Sequence, residues 1–196
     1  MPETYLSPLT LLKEPLEDLE YSVVHESVNS ENLVEKLFIS LEIEGQPAKR
    51  QFIIELFFVN DVLEAFAGPT EEDDDGDETI MAQFNLVLPV SIPTQSYGDI
   101  MRVINLINRL TPLGAFGLSE DDGAIYLRYS LAAESREIPE ALLLQVVSAF
   151  EYLSLEYTPI FEAMVEGTSS AQEFIDSFEK SGNPIPSVGN PKTLGA

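Results

Sequence analysis

Residues able to do chemistry are scarce in this chain, and the densest group is a run of carboxylates. Glu71-Glu72-Asp73-Asp74-Asp75-Gly76-Asp77-Glu78 holds seven acids in eight positions. Hard oxygen donors of this kind suit Ca²⁺ or Mg²⁺, and the candidate ligands are Glu71, Asp73, Asp75 and Asp77. A helix–loop–helix calcium loop needs glycine at its sixth position and a bidentate glutamate at its twelfth. Placing Gly76 sixth puts Glu71, Asp73 and Asp75 at positions one, three and five, but Ala82 at twelve. The ligand that matters most is missing. The competing reading is a solvated, self-repelling loop between two strands, and the missing ligand favours it.

Other catalytic patterns fail at identifiable positions. There is no cysteine, so thiolate metal sites, disulfides and a thiol nucleophile are excluded. The single histidine, His25, falls in the strand-like stretch Tyr21–Val28 and has no second imidazole to build a zinc site with. Gly117-Leu118-Ser119-Glu120-Asp121 lacks the closing glycine of a nucleophile elbow. Gly114-Ala115-Phe116-Gly117 has neither the spacing nor the lysine of a phosphate loop. Asp121 and Asp122 sit together at a turn, where carboxylates are ordinarily just solvated. The expectation is a non-catalytic protein that needs no cofactor.

Charge narrows the partners. Of 196 residues, 34 are Asp or Glu and 10 are Lys or Arg, a formal net charge of −24. Such a surface repels phosphate backbones and anionic membranes, so neither is an expected partner. Residues 51–101 contain no Lys or Arg and eleven acids: Glu55, Asp61, Glu64, the seven of the run, and Asp99. A field polarised in this way would steer a basic protein segment and raise its association rate. The N-terminus lacks a basic region followed by a continuous apolar one. The densest apolar runs, Phe52–Val59 and Phe84–Val90, fall well short of the ~20 residues that span a bilayer. A soluble cytoplasmic protein is expected.

The elements that would carry these residues follow from periodicity. Pro2, Pro8 and Pro15 restrict residues 1–20 to short helices, whose leucines could cover the edge of a core. Leu37, Ile39, Leu41 and Ile43 alternate with Phe38, Ser40, Glu42 and Glu44, as in a half-buried strand, and Glu44-Gly45-Gln46-Pro47 reads as a turn. Phe52, Ile54, Leu56 and Phe58 define a second strand, apolar on both sides and so placed centrally. Ile80, Ala82, Phe84, Leu86 and Leu88 define another. Short turns or the acidic loop join these runs, which predicts antiparallel pairing.

A helix is expected from Ser96, capped through Asp99, with Ile100, Ile104, Ile107 and Leu110 on its inner stripe. Ala115–Ser119 and Ile125–Leu131 flank an Asp-Gly turn and predict a hairpin. After Pro139, at a first helical position, Leu142, Val146, Phe150, Leu153, Tyr157, Phe161 and Met164 mark a long helix, with a kink or break at Thr158 before Pro159. A last helix opens at Ser170 with Glu173 as capping partner. The result is an α+β fold, an antiparallel sheet with helices packed on a face. The expected organisation is an extension at 1–20, one domain at 21–180 and a flexible tail at 181–196. Off the long helix's stripe lie Tyr152, Leu155, Ile160 and Val165, the candidate partner-binding residues of a homodimer.

Asn105-Leu106-Ile107-Asn108-Arg109-Leu110, then Leu113–Leu118, then Glu120-Asp121-Asp122-Gly123-Ala124-Ile125-Tyr126-Leu127-Arg128-Tyr129-Ser130-Leu131 resembles the second half of YbjN-like bacterial proteins. These share the type III secretion chaperone-like fold. In that pattern an Asn-rich helix leads into a strand, an acidic turn, an Arg-bearing strand and a long helix. The resemblance spans residues 21–166 and implies a small acidic, often dimeric, non-catalytic protein that binds polypeptides or regulates. It carries over no catalytic residue. The Pro-broken N-terminal segment, the acidic run with Ile80–Leu88, and the longer tail depart from that pattern. The first functional expectation is therefore a chaperone-like or regulatory protein-binding module, using an exposed sheet face or the long helix. A stable assembly protein, or a cation-dependent sensor or enzyme using the acidic loop, is the alternative. Calorimetric titration with Ca²⁺ and with Mg²⁺ is expected to show no binding tighter than about millimolar, the weak end of calcium-module affinities.

Overall fold

Strict alternation of apolar and polar side chains decides what can meet in this chain. The computed structural model describes residues 7–43, 50–67 and 79–181. The turn at 44–47, the acidic run 71–78 and the C-terminal stretch from 182 lie outside those residues. Within them six strands form one sheet: β1 (Ser22–Glu26), β2 (Lys36–Ile43), β3 (Arg50–Phe58), β4 (Ile80–Ser91), β5 (Ala115–Leu118) and β6 (Ala124–Ala133). Their order is β1-β2-β3-β4-β6-β5, and every pair is antiparallel. β3 is central, as its two-sided apolar sequence requires. Proline in a sheet interior would delete a ladder bond, yet β4 runs through Pro89. The pairing of β4 with β6 shifts register between Val87 and Ser91, and Pro89 sits in that irregularity, where no donor is needed.

One face of the sheet is fully packed. Leu37, Ile39 and Leu41, Phe52, Ile54, Leu56 and Phe58, Ala82, Phe84, Leu86 and Leu88, and Ile125 and Leu127 are all buried in a single core. Helices α1 (Pro8–Leu11), α2 (Lys13–Glu17), α4 (Tyr97–Asn108), α5 (Glu140–Val165) and α6 (Ala171–Lys180) form the second layer, while α3 (Val59–Ala67) follows β3. α5 lies across β4 and β3. The Phe150 ring stands 6.3 Å from Phe84, and Phe116 meets Tyr157 edge-on at 5.6 Å and Phe161 at 6.1 Å. Leu9, Leu12 and Leu16 of the N-terminal segment are buried in the same core, whereas Leu11 and Leu19 are exposed.

Three local expectations are corrected. α5 is one continuous helix through Pro159, so of the kink or break expected at Thr158 the break does not occur. Leu153 and Phe161, on either side of the proline, are both buried, and that packing outweighs the lost backbone bond. The buried Thr158 hydroxyl donates to the Ser154 carbonyl at 2.6 Å, and Ser154 donates to the Glu151 carbonyl at 3.0 Å, so both hydroxyls are satisfied inside the helix. Ser96 does not cap α4, because the 3₁₀ turn Thr94–Ser96 runs straight into it and leaves Ser96 in helical backbone geometry. Asp99 bonds Arg102 at 3.2 Å instead. α3 was not anticipated. Its apolar residues, Val59, Val62, Leu63 and Phe66, have helical spacing over too few turns to stand out beside the strand pattern ending at Phe58. The capping box at Ser170, in contrast, forms with both of its bonds.

The sheet's two edges are treated differently. β5 is the edge strand next to α4, and the Asn108 side chain at the end of that helix plugs it. Its amide donates to the Phe116 carbonyl at 2.9 Å and accepts from the Phe116 N–H at 2.8 Å. One side chain thus stands in for a missing neighbouring strand. Asn108→Ala leaves both backbone groups without that partner and is expected to cost about 1–2 kcal/mol, read as a lower denaturation midpoint at unchanged m-value.

Candidate functional site

Residues that alternate with the core side chains define the sheet's other face. It is open and mixed in character. Val24 on β1 lies opposite Phe38 on β2, and Phe38 opposite Glu55 on β3. On the next rung Ser40 faces Ile53, and Val87 of β4 faces Tyr126 of β6. Ile53 and Val87 each stand one position beyond the Ile54–Leu86 pair, so they are neighbours on this face. Val24, Ile53 and Val87 are 55%, 47% and 59% exposed, and Phe38, Phe57 and Tyr126 are half-buried. Singly exposed apolar side chains are ordinary; a band of them crossing five adjacent strands is a candidate interaction surface.

Polar groups frame the band and are mutually satisfied. Lys36 and Glu55 pair at 2.6 Å, with the lysine 6.0 Å from the centre of the Phe57 ring. Asn85, opposite Arg128 in register, accepts from its Nε at 3.3 Å and from Gln83 at 3.2 Å. Arg128 also stacks 5.0 Å from the Tyr126 ring. Tyr126 in turn lies over Gly117 of β5, where a Cβ would come within 2.3 Å of the ring. Glycine here keeps the tyrosine flat on the sheet. The hairpin between β5 and β6 turns at Gly123, whose φ of 71° and close approach to the Ile92 carbonyl (2.4 Å from a built Cβ) exclude a side chain.

The sequence candidates are placed as follows. His25 lies on β1 and bonds Glu35 at 2.6 Å, a contact to one partner rather than part of a catalytic cluster. Asp122 is at the hairpin tip, and hydrogen bonds from the Ser119 hydroxyl and then the Ala124 N–H hold its carboxyl below the usual range. Tyr21 is pushed above the usual phenol range by burial first and by Glu151 second, the carboxylate it donates to at 3.2 Å. Tyr152 is 63% exposed on α5 and Val165 borders on exposed, while Leu155 is half-buried and Ile160 packs against the core. At about 100° per residue, Val165 lies roughly opposite Tyr152 around the helix, so the four do not share one surface.

Glu71, Asp73, Asp75 and Asp77 lie outside the described residues. Among the described residues no three His, Asp or Glu side chains converge to hold a metal ion, and no helix is long and apolar enough to cross a membrane. Periodicity alone could have found the open band, since Ile53 and Phe57 already stood out as apolar on the second side of β3. Val87→Thr, which keeps the branched Cβ, is expected to change stability by less than about 0.5 kcal/mol, whereas Leu86→Ala one position away costs about 2–4 kcal/mol, both read by denaturant unfolding.

Comparison with known proteins bears on residues 70–163, from the acidic run to the last turn of α5. They match the family model of YbjN, described as "Putative bacterial sensory transduction regulator". The match is narrower than the 21–166 stretch of the resemblance. It includes Ile80–Leu88 and the acidic run. No curated protein matches the chain. β4, α4, the β5–β6 hairpin and α5 as far as Ala163 fall inside the matched segment, and that match supports a YbjN-like bacterial family assignment.

Proposed function

We propose that this protein is a non-catalytic, chaperone-like or regulatory protein-binding module that works in the cytoplasm and holds a polypeptide against its open sheet face. The observation that carries this reading is the apolar band Val24–Phe38–Ile53–Val87–Tyr126, laid across a sheet whose opposite face is already filled. Burying such a band in a partner supplies roughly 25 cal/mol per Å² of apolar area, and the framing pairs Lys36–Glu55 and Asn85–Arg128 form a polar rim. The family's description as a sensory transduction regulator supports a role exercised through other macromolecules. A homodimer belongs to the same proposal, with the exposed Tyr152 of α5 at the contact between copies.

The test is capture from native cell extract at low salt, comparing the wild type with an Ile53→Asp/Val87→Asp variant. Both positions are exposed, so the variant is expected to keep its circular dichroism spectrum while losing at least about 90% of captured partner, as a buried unpaired charge demands. Equal capture by a folded variant sinks the reading. Light scattering on the purified protein is expected to give twice the chain mass.

A further inference from the structure

β1 and β5 close the sheet on its two sides, and only β5 is plugged. No backbone hydrogen bond from β1 to anything other than β2 occurs among the described residues. In an antiparallel pair every second residue turns its N–H and C=O away from the neighbour, so an outer row on Ser22–Glu26 has no backbone partner among the described residues. Ser22 and Val24 on this strand are exposed.

The charge of the segment that carries that row has one sign, and Lys36, opposite Glu26 in register, is held by Glu55 at 2.6 Å. Between Lys13 and Lys36 the chain has no Lys or Arg and seven acids: Glu14, Glu17, Asp18, Glu20, Glu26, Glu31 and Glu35. Their side chains are partly or fully exposed. Glu20 stands at the entrance to β1 in the left-handed conformation, φ 67°, where α2 ends with Tyr21 N–H on the Leu16 carbonyl at 3.1 Å and Glu20 N–H on the Glu17 carbonyl at 2.9 Å. Glu26 stands at its exit, accepting from Asn32 at 3.2 Å. A carboxylate therefore flanks each end of a five-residue strand that is paired on one side only, and residues 14–35 contain no Lys or Arg to neutralise them.

We infer that the outer edge of β1 is a docking strip for an extended, basic polypeptide segment, which adds a seventh strand beside Val24 and extends the Val24–Phe38 rung. Backbone bonds to the outer row hold such a segment, while Lys or Arg side chains reach Glu20 and Glu26. A second copy of this chain fits worse, because pairing β1 with β1 would bring two acidic flanks together. The inference rests on the protein-binding reading and names one partner chemistry for it.

The probe is the capped heptapeptide Ac-Lys-Val-Lys-Val-Lys-Val-Lys-NH₂, with amide exchange followed by NMR on the full chain. The expected result is at least about tenfold slower exchange at alternate residues of Ser22–Glu26 at saturation, with no change at Phe116. A peptide N-methylated at every second residue is expected not to bind, because it lacks the donors of one edge. Glu20→Gly/Glu26→Gln is expected to bind about tenfold more weakly with its fold intact, since glycine suits the left-handed position better than glutamate. Any of three outcomes overturns the inference: no binding at millimolar peptide, equal binding by the N-methylated form, or β1 protection that rises with protein concentration alone. Peptide shifts confined to Ile53 and Val87 also overturn it, but leave the open-face reading standing. Loss of partner capture by every variant and by the wild type would instead remove that reading itself.

Discussion

Register is the constraint on which the rest of this molecule depends. Each strand carries two sets of side chains, and sliding any strand by one residue would exchange them. Core residues such as Ile54, Leu86 and Leu127 lie on one rung across β3, β4 and β6, and Phe84 and Phe116 are held from above by Phe150 and Phe161 of α5. That fixed side forces Val24, Phe38, Ile53 and Val87 onto the other side together. The open band is therefore no local accident of a loop. It is set by the same pairing that builds the core, so the surface is rigid before any partner arrives.

Most of this architecture was legible in period-2 and period-3.6 patterns. The alternation of β2, β3 and β4 gave strand positions and antiparallel pairing, and the Asp122-Gly123 turn marked its hairpin. Long-range packing is where local signals stopped being sufficient. Pro159 is a strong breaker in isolation, yet Leu153 and Phe161 anchor the helix on both sides of it. Ser96 has a capping partner at the right spacing, yet the turn before it has already committed the backbone. The polar pairs of the open face, such as Asn85–Arg128, join residues 43 positions apart and leave no trace in local spacing. Nor does Asn108 announce its task. An asparagine near a helix end reads as a stop signal, and only the position of β5 shows what its amide is for.

The acidity sharpens in the same way. A net charge of −24 disfavours the compact state through self-repulsion, and the chain meets this by spending its cations in pairs. Lys13 with Glu17, Lys36 with Glu55, Arg102 with Asp99 and Arg136 with Asp61 each place a positive group against a carboxylate. Arg128 is the exception on the open face, bound to a neutral amide and an aromatic ring. The surplus of acids is thus concentrated in two stretches whose own sequence holds no Lys or Arg, residues 14–35 and 51–101.

The plug on β5 has a consequence for assembly. A sheet with two free sides can be lengthened indefinitely by adding copies, which is how edge-to-edge growth leads to fibres. With Phe116 already answered by Asn108, the β5 side lacks that rung for another strand, and on the opposite side the carboxylates flanking β1 set two copies against each other. One asparagine amide therefore takes away one of the two sides on which edge-to-edge growth depends.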